Sequence, residues 1–127
     1  MPATHLFEYA AIRVVPRVDR EEFLNVGVIL YCPDIKLLAL RCASNHDRLL
    51  MLDSKLDLAE LGQHLHAFAA ITRGEAGGGP IARLDIANRF RWLTATRSTI
   101  LQTSRVHPGL SSDPAATLEE LYERLVL

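Results

Sequence analysis

The stretch Tyr9–Tyr31, YAAIRVVPRVDREEFLNVGVILY, decides the reading of the fold. Tyr9 to Val15 is apolar and rich in β-branched residues, and it stops at Pro16, which has no backbone donor and ends a ladder. That pattern predicts a first strand. Strand side chains alternate, so Phe7, Tyr9, Ala11, Arg13 and Val15 point one way while Ala10, Ile12 and Val14 point the other. Arg13 therefore stands in line with aromatic and aliphatic neighbours. Arg17, Asp19, Arg20, Glu21 and Glu22 read as a solvated connection. After it, Val26, Val28 and Leu30 alternate with Gly27, Ile29 and Tyr31 as a second strand, with Asn25 at its entrance. A glycine inside such a strand predicts a bulge, or close approach by another backbone or a ligand.

Outward from this pair, Pro33 to Lys36 reads as a turn and Leu37 to Cys42 as a third strand completing a meander. In that hairpin Cys32 faces Leu37 or its neighbour, so Cys42 lies out of disulfide reach. Neither cysteine lies in a CxxC spacing, and both read as thiols with a structural role. A short helical turn is expected around Asp47 to Leu52. From Ser54 onward the period is helical, with Leu58, Leu61, Leu65, Phe68 and Thr72 on one stripe. Ser54 and Asp57 have the form of a capping box, and Gly74 sits where a left-handed C-terminal residue is needed. The run Gly74 to Pro80, GEAGGGP, reads as a flexible exposed loop. It has neither the GK[ST] ending nor the preceding strand of a phosphate-binding loop. Ile86, Phe90 and Leu93 fit a further helix, Ser98 to Thr103 a further strand. Asp113 and Pro114 open a terminal helix with Leu118, Leu121, Tyr122 and Leu125 on its buried face.

Three segments, YAAIRVVP (9–16), EEFLNVGVIL (21–30) and RFRWLTATRSTILQTSRVHPGL (89–110), resemble the bacterial family catalogued as domain of unknown function 3037, and the resemblance covers nearly the whole chain. It implies a small bacterial α+β protein, and some members of the family are encoded beside kinases resembling the HipA toxin. It supplies no reaction. The motif positions carried over are Arg13, Glu22, Asn25 and Gly27 in the first part, and Trp92, Arg97, Ser98, Thr99 and His107 in the second.

With 127 residues, 49% of them hydrophobic, the chain can bury roughly two thirds of its unfolded surface, which predicts one domain spanning 1–127. A net charge of −1 creates no global field for nucleic acid or an acidic membrane, so such binding would need a local patch. No apolar run approaches the ~18 residues of a membrane span, and the N-terminus lacks a signal-peptide pattern, so a cytoplasmic protein is expected. The architecture expected is α+β: a mainly antiparallel sheet of three or four strands, with the capped central helix and the terminal helix packed on one face.

The segment Ile86 to Ser112 is the best candidate for binding. It holds Arg89, Arg91, Arg97, Arg105 and His107, many hydroxyls and amides, and no acidic residue. Arginine offers a rigid donor fork that matches phosphate or carboxylate, hydroxyls add short bonds to the remaining oxygens, and Trp92 offers a stacking surface. The candidate site is therefore Arg13, Asn25, Trp92, Arg97, Ser98, Thr99, Arg105 and His107. Against it stands the plainer expectation that these arginines are solvated or paired with acids elsewhere and that Trp92 anchors its helix.

Enzyme chemistry lacks partners. His64 and His66 are two residues apart, about 200° around a helix, and cannot share a metal; no HExxH or paired cysteines are present. Ser98 or Ser104 with His107 as base has no GxSxG elbow and no third member. No cofactor and no metal is implied. The reading is a non-enzymatic accessory or interaction module that binds an anionic group on a partner protein or a small ligand; a HipA-like kinase enters only through the family's neighbourhood. An enzyme acting on a phosphorylated or nucleotide-containing substrate is the main alternative, and a cleft joining Arg13, Asn25, Arg97 and His107 would favour it. A nucleic-acid-binding module comes third, favoured by a continuous basic surface with Trp92 exposed.

Overall fold

A computed structural model describes residues 3–97 and 99–127. Its centre is the first predicted strand, β1 (His5–Val14), which starts four residues earlier than its β-branched run. β1 pairs antiparallel with β2 (Leu24–Cys32), and β2 pairs with β3 (Leu37–Cys42) in the expected meander. The β2–β3 turn closes with the Lys36 amide donating to the Pro33 carbonyl, and Cys32 lies opposite Leu37. Both cysteines are free thiols.

On its other side β1 pairs with two short strands laid end to end, β4 (Leu101–Thr103) and β5 (His107–Ser111). Among the described residues the sheet thus has five strands, in the order β3-β2-β1-β4 with β5 also against β1, one more than the sequence pattern showed. β5 was hidden by Pro108 and Gly109, residues that argue against a strand. Proline is tolerated on the outermost strand, where its missing donor is not needed by a further neighbour. Gly109 is required by its partner: a Cβ there would fall on the ring of Phe7, directly opposite in the register. Between the two strands Ser104 bridges the gap. Its amide donates to the Ala11 carbonyl at 2.8 Å, and its hydroxyl oxygen accepts from the Ala11 amide at 2.9 Å.

Helices lie on both faces of the sheet, and this corrects the expectation of one covered face. On the first face, α1 (His46–Leu52), α2 (Leu58–Arg73) and α3 (Ile86–Leu93) bury Leu49, Leu61, Phe68, Ile71, Phe90 and Leu93 against Ala10, Ile12, Val14, Val26 and Ile29. On the second face, α4 (Pro114–Leu125) buries Leu118, Leu121 and Tyr122 against Phe7, Val28, Leu30 and Cys32. β1 and β2 are apolar on both sides, so a single helical layer would leave one of those sides in water.

The second strand does not alternate strictly. Pairing steps from Ile12↔Gly27 to Arg13↔Asn25, so Val26 is an extra residue, and Val26 and Val28 are buried on opposite faces. The predicted irregularity at Gly27 is this bulge, and the predicted close approach is there too: a Cβ on Gly27 would lie 2.8 Å from the Arg41 carbonyl of β3.

Around α2 two local readings change, the start of the helix and the glycine run after it. The N-cap of α2 is Asp57, whose carboxylate accepts from the Glu60 amide at 3.0 Å. Ser54 stays in the preceding turn, which Asp53 organises by accepting from the Lys55 amide at 2.9 Å. Gly74 ends the helix in the left-handed conformation, φ 69°, as expected. The glycine run after it is exposed but is not a free loop: Ala76–Arg83 forms short 3-10 turns either side of Gly79. Gly78 packs so closely on α2 that a Cβ would come within 2.9 Å of the Ile71 side chain.

Because Gly27 admits β3 by having no side chain, Gly27→Val overpacks the β2–β3 contact. Urea unfolding is expected to show a loss of about 1–3 kcal/mol, with the slope of the transition unchanged.

Candidate functional site

The basic segment is folded back on α3. Asp85 caps that helix by accepting from the Asn88 amide at 2.9 Å, and Phe90 and Leu93 turn into the core. Trp92 is thereby left on the outer side, 40% exposed. After the helix ends at Thr94, the chain returns and lays the Arg97 guanidinium over the Trp92 ring, 3.9 Å from its centroid. Arg97 also donates to the Trp92 carbonyl oxygen. Burial holds its guanidinium below its ordinary pKa, and among the described residues no carboxylate pairs with it. Beside the stacked pair is a hollow of about 310 Å³ whose floor is Phe68 and Ile71 of α2 with Leu93 and Leu101, and whose polar lining comes from His64, Arg97 and Thr99. An apolar floor with a desolvated, unpaired cation at its rim suits a molecule with an anionic end and an apolar body.

Arg13 lies elsewhere. It is half-buried on the second face, with its guanidinium 3.9 Å from the Phe23 ring centroid and its Nε donating to Asn25 Oδ1 at 3.3 Å. Asn25 Nδ2 in turn donates to the Leu125 carbonyl at 3.1 Å, near the end of α4. Burial lowers the pKa of Arg13 as well. This cation borders a separate hollow with Phe23, Gln102 and the acidic Glu21.

The other candidates divide between these places. Thr99 lines the Trp92–Arg97 hollow, but its hydroxyl already donates to the Leu101 carbonyl at 2.8 Å. Ser98 lies outside the described residues. Arg105 is exposed and joins no ion pair among the described residues. His107 stands opposite Tyr9 on β5, ring against ring at 5.4 Å. Hence Arg13 with Asn25, and Trp92 with Arg97 and Thr99, are brought together as two groups. The cleft that would join Arg13, Asn25, Arg97 and His107 does not form, because Arg97 packs on the helical layer of the first face while Arg13, Asn25 and His107 share the second.

Ser104 is buried, its hydroxyl donating to the Arg105 carbonyl while accepting from Ala11, so both its hydrogen-bonding roles are structural. Arg89 also serves the fold: it donates to the Ile71 carbonyl at 3.3 Å beneath the C-terminal end of α2, where a cation suits the helix dipole. Sequence reasoning missed Phe68 and His64, because α2 reads as a core helix with no sign that its flank meets Trp92. It also missed Phe23, whose signal was available: Phe23 and Asn25 are two apart on an extended chain and can face Arg13 together.

Both motifs lie within residues 9–126, which match the family model described as Protein of unknown function (DUF3037). The chain belongs to that family. No curated protein and no solved structure matches it. In this DUF3037 protein, no group of three His, Cys, Asp or Glu among the described residues is placed to hold a metal ion, and no described helix is long and apolar enough to cross a membrane.

Cys42 stands far from nucleophilic chemistry: burial pushes its thiol from 9.0 up to about 11, with Arg41 opposing the shift only in part. A raised thiol pKa favours the neutral folded form, so its contribution is complete below about pH 9 and is lost as pH rises toward 11. The wild-type protein is expected to lose more stability than Cys42→Ala across that window, measured as the difference in urea midpoints. Asn25→Ala removes the link between Arg13 and Leu125; a loss of about 1–3 kcal/mol is expected, with faster amide exchange in the last turn of α4.

Proposed function

We propose that this DUF3037 protein is a non-enzymatic interaction module that holds an anionic group, carried by a partner protein or a small ligand, at the Trp92–Arg97 hollow. The observation that carries this reading is Arg97 itself: half-buried, stacked on an aromatic face, without a carboxylate partner among the described residues, at the rim of an apolar floor. A guanidinium in that setting has lost water and gained no counter-ion, so an incoming phosphate or carboxylate recovers a charge-assisted, two-pronged contact. Stacking on Trp92 fixes the fork before the anion arrives, which lowers the ordering cost of binding. The adjacent apolar floor then receives the rest of the ligand. Arg105, exposed and on the same acid-free segment, adds longer-range attraction.

The division of Arg13, Asn25 and His107 from Arg97 favours binding over the alternative of catalysis on a phosphorylated substrate, which asked for all four in one cleft. Nucleic acid is disfavoured by the use of one Trp92 face for Arg97, which leaves less ring for base stacking. Copurification from the native host followed by mass spectrometry tests the proposal, with a HipA-like kinase among the partners to look for. A specifically retained protein or anionic metabolite is expected, reduced at least tenfold by Arg97→Ala and less by Arg97→Lys, which keeps charge but loses the planar fork. Retention unchanged in both Arg97→Ala and Arg105→Ala would overturn it.

A further inference from the structure

The flank of α2 away from Trp92 faces the free edge of the sheet. β3 has no strand on its outer side among the described residues, and its residues are only half-covered or exposed, whereas most of those of β2 beside it are buried. On such an edge the N–H and C=O groups of alternate residues point outward without a partner. The two edges of this sheet are treated differently. The β4–β5 edge is broken at Ser104 and carries Pro108, both devices that blunt strand pairing. β3 has neither: its register against β2 runs one-to-one from Gly27↔Cys42 to Cys32↔Leu37, and it holds no proline. Its single charge does not guard the edge, since the Arg41 guanidinium is drawn onto the second face, 4.6 Å from the Tyr122 ring centroid and 3.3 Å from Glu119.

Between β3 and α2 runs a groove of about 380 Å³. Leu40 and Cys42 of the strand and Leu65 and Ala69 of the helix supply its apolar lining, Arg73 its cation on the helix side with the His66 ring beside it, and among the described residues no Asp or Glu lines it. Arg73 has only a loose, exposed contact with Glu75, at 3.9 Å. A groove bounded by an open strand edge on one side and a helix on the other accepts one extended chain: backbone pairing supplies affinity, and alternate side chains enter the groove.

We propose that β3 takes up an extended, acidic peptide segment of a partner protein as an additional strand, its apolar side chains over Leu40, Leu65 and Ala69 and its carboxylates toward His66 and Arg73. Charge selects this occupant over a second copy of the same chain, because pairing β3 with β3 would bring two cationic grooves together. The site is separate from the Trp92–Arg97 hollow across α2, so Arg97→Ala serves as a control that leaves it intact.

The test uses the full chain with a labelled peptide of roughly ten residues alternating valine or threonine with glutamate, and a matching peptide with lysine in place of glutamate. Anisotropy is expected to show saturable binding of the acidic peptide, at least tenfold weaker binding of the basic one, and slower amide exchange on binding in Leu37–Cys42. The surface double variant His66→Glu, Arg73→Glu, checked for an unchanged unfolding midpoint, is expected to lose the acidic peptide at least tenfold, while Arg97→Ala keeps it. No saturable binding of the acidic peptide overturns the proposal. So does binding without protection of β3 or indifferent to the charge reversal, or light scattering that shows the edge filled by a second copy.

Discussion

The structure depends on β1 being committed in every direction at once. Its backbone is hydrogen-bonded to β2 on one side and to β4 and β5 on the other, while its side chains are buried alternately above and below. A strand of this kind has no face to spare for water, so the rest of the chain must supply two covering layers and strand pairing along both edges. The three helices of the middle segment provide one layer and the terminal helix the other. The doubled hydrophobic cost of leaving β1 bare makes the fold a closed arrangement despite its short length.

One extra residue adjusts this arrangement. Val26 shifts the parity of β2, so that Asn25 comes to share a face with Arg13 and its side chain can bridge Arg13 to the end of α4. Without the bulge, Asn25 would be directed at the other layer. Gly27 serves the same place from the other side, clearing room for the Arg41 carbonyl. A motif that reads as a run of small and polar residues in the sequence is thus a device for passing β1 between its neighbours, and Arg13 is tied into it.

Arg13 and Arg97 show why cations that the sequence lets one group as a single candidate site need not meet. Arg97 and Arg13 are both desolvated and both laid on aromatic rings, yet they sit on different layers. α2 has a similar double role, with the Trp92–Arg97 hollow on one flank and the β3 groove on the other. The central helix, which by sequence is only a core element, borders both of the proposed binding surfaces.

By itself the sequence determined the α+β class, the meander, the irregularity at Gly27, the free cysteines, the caps at Gly74 and Asp113, and the acid-free segment that holds Trp92 and Arg97. Each of these is written in a few neighbouring residues through alternation, helical period or a single backbone preference. Only the tertiary structure decided that α4 lies across the sheet from the other helices, that Pro108 and Gly109 belong to a strand, and that Arg13 and Arg97 part company. Which face a helix covers is set by the balance of apolar area over the whole sheet, and a one-residue bulge reverses the face of everything that follows it. Such choices join residues as far apart as Asn25 and Leu125, and no local pattern carries them.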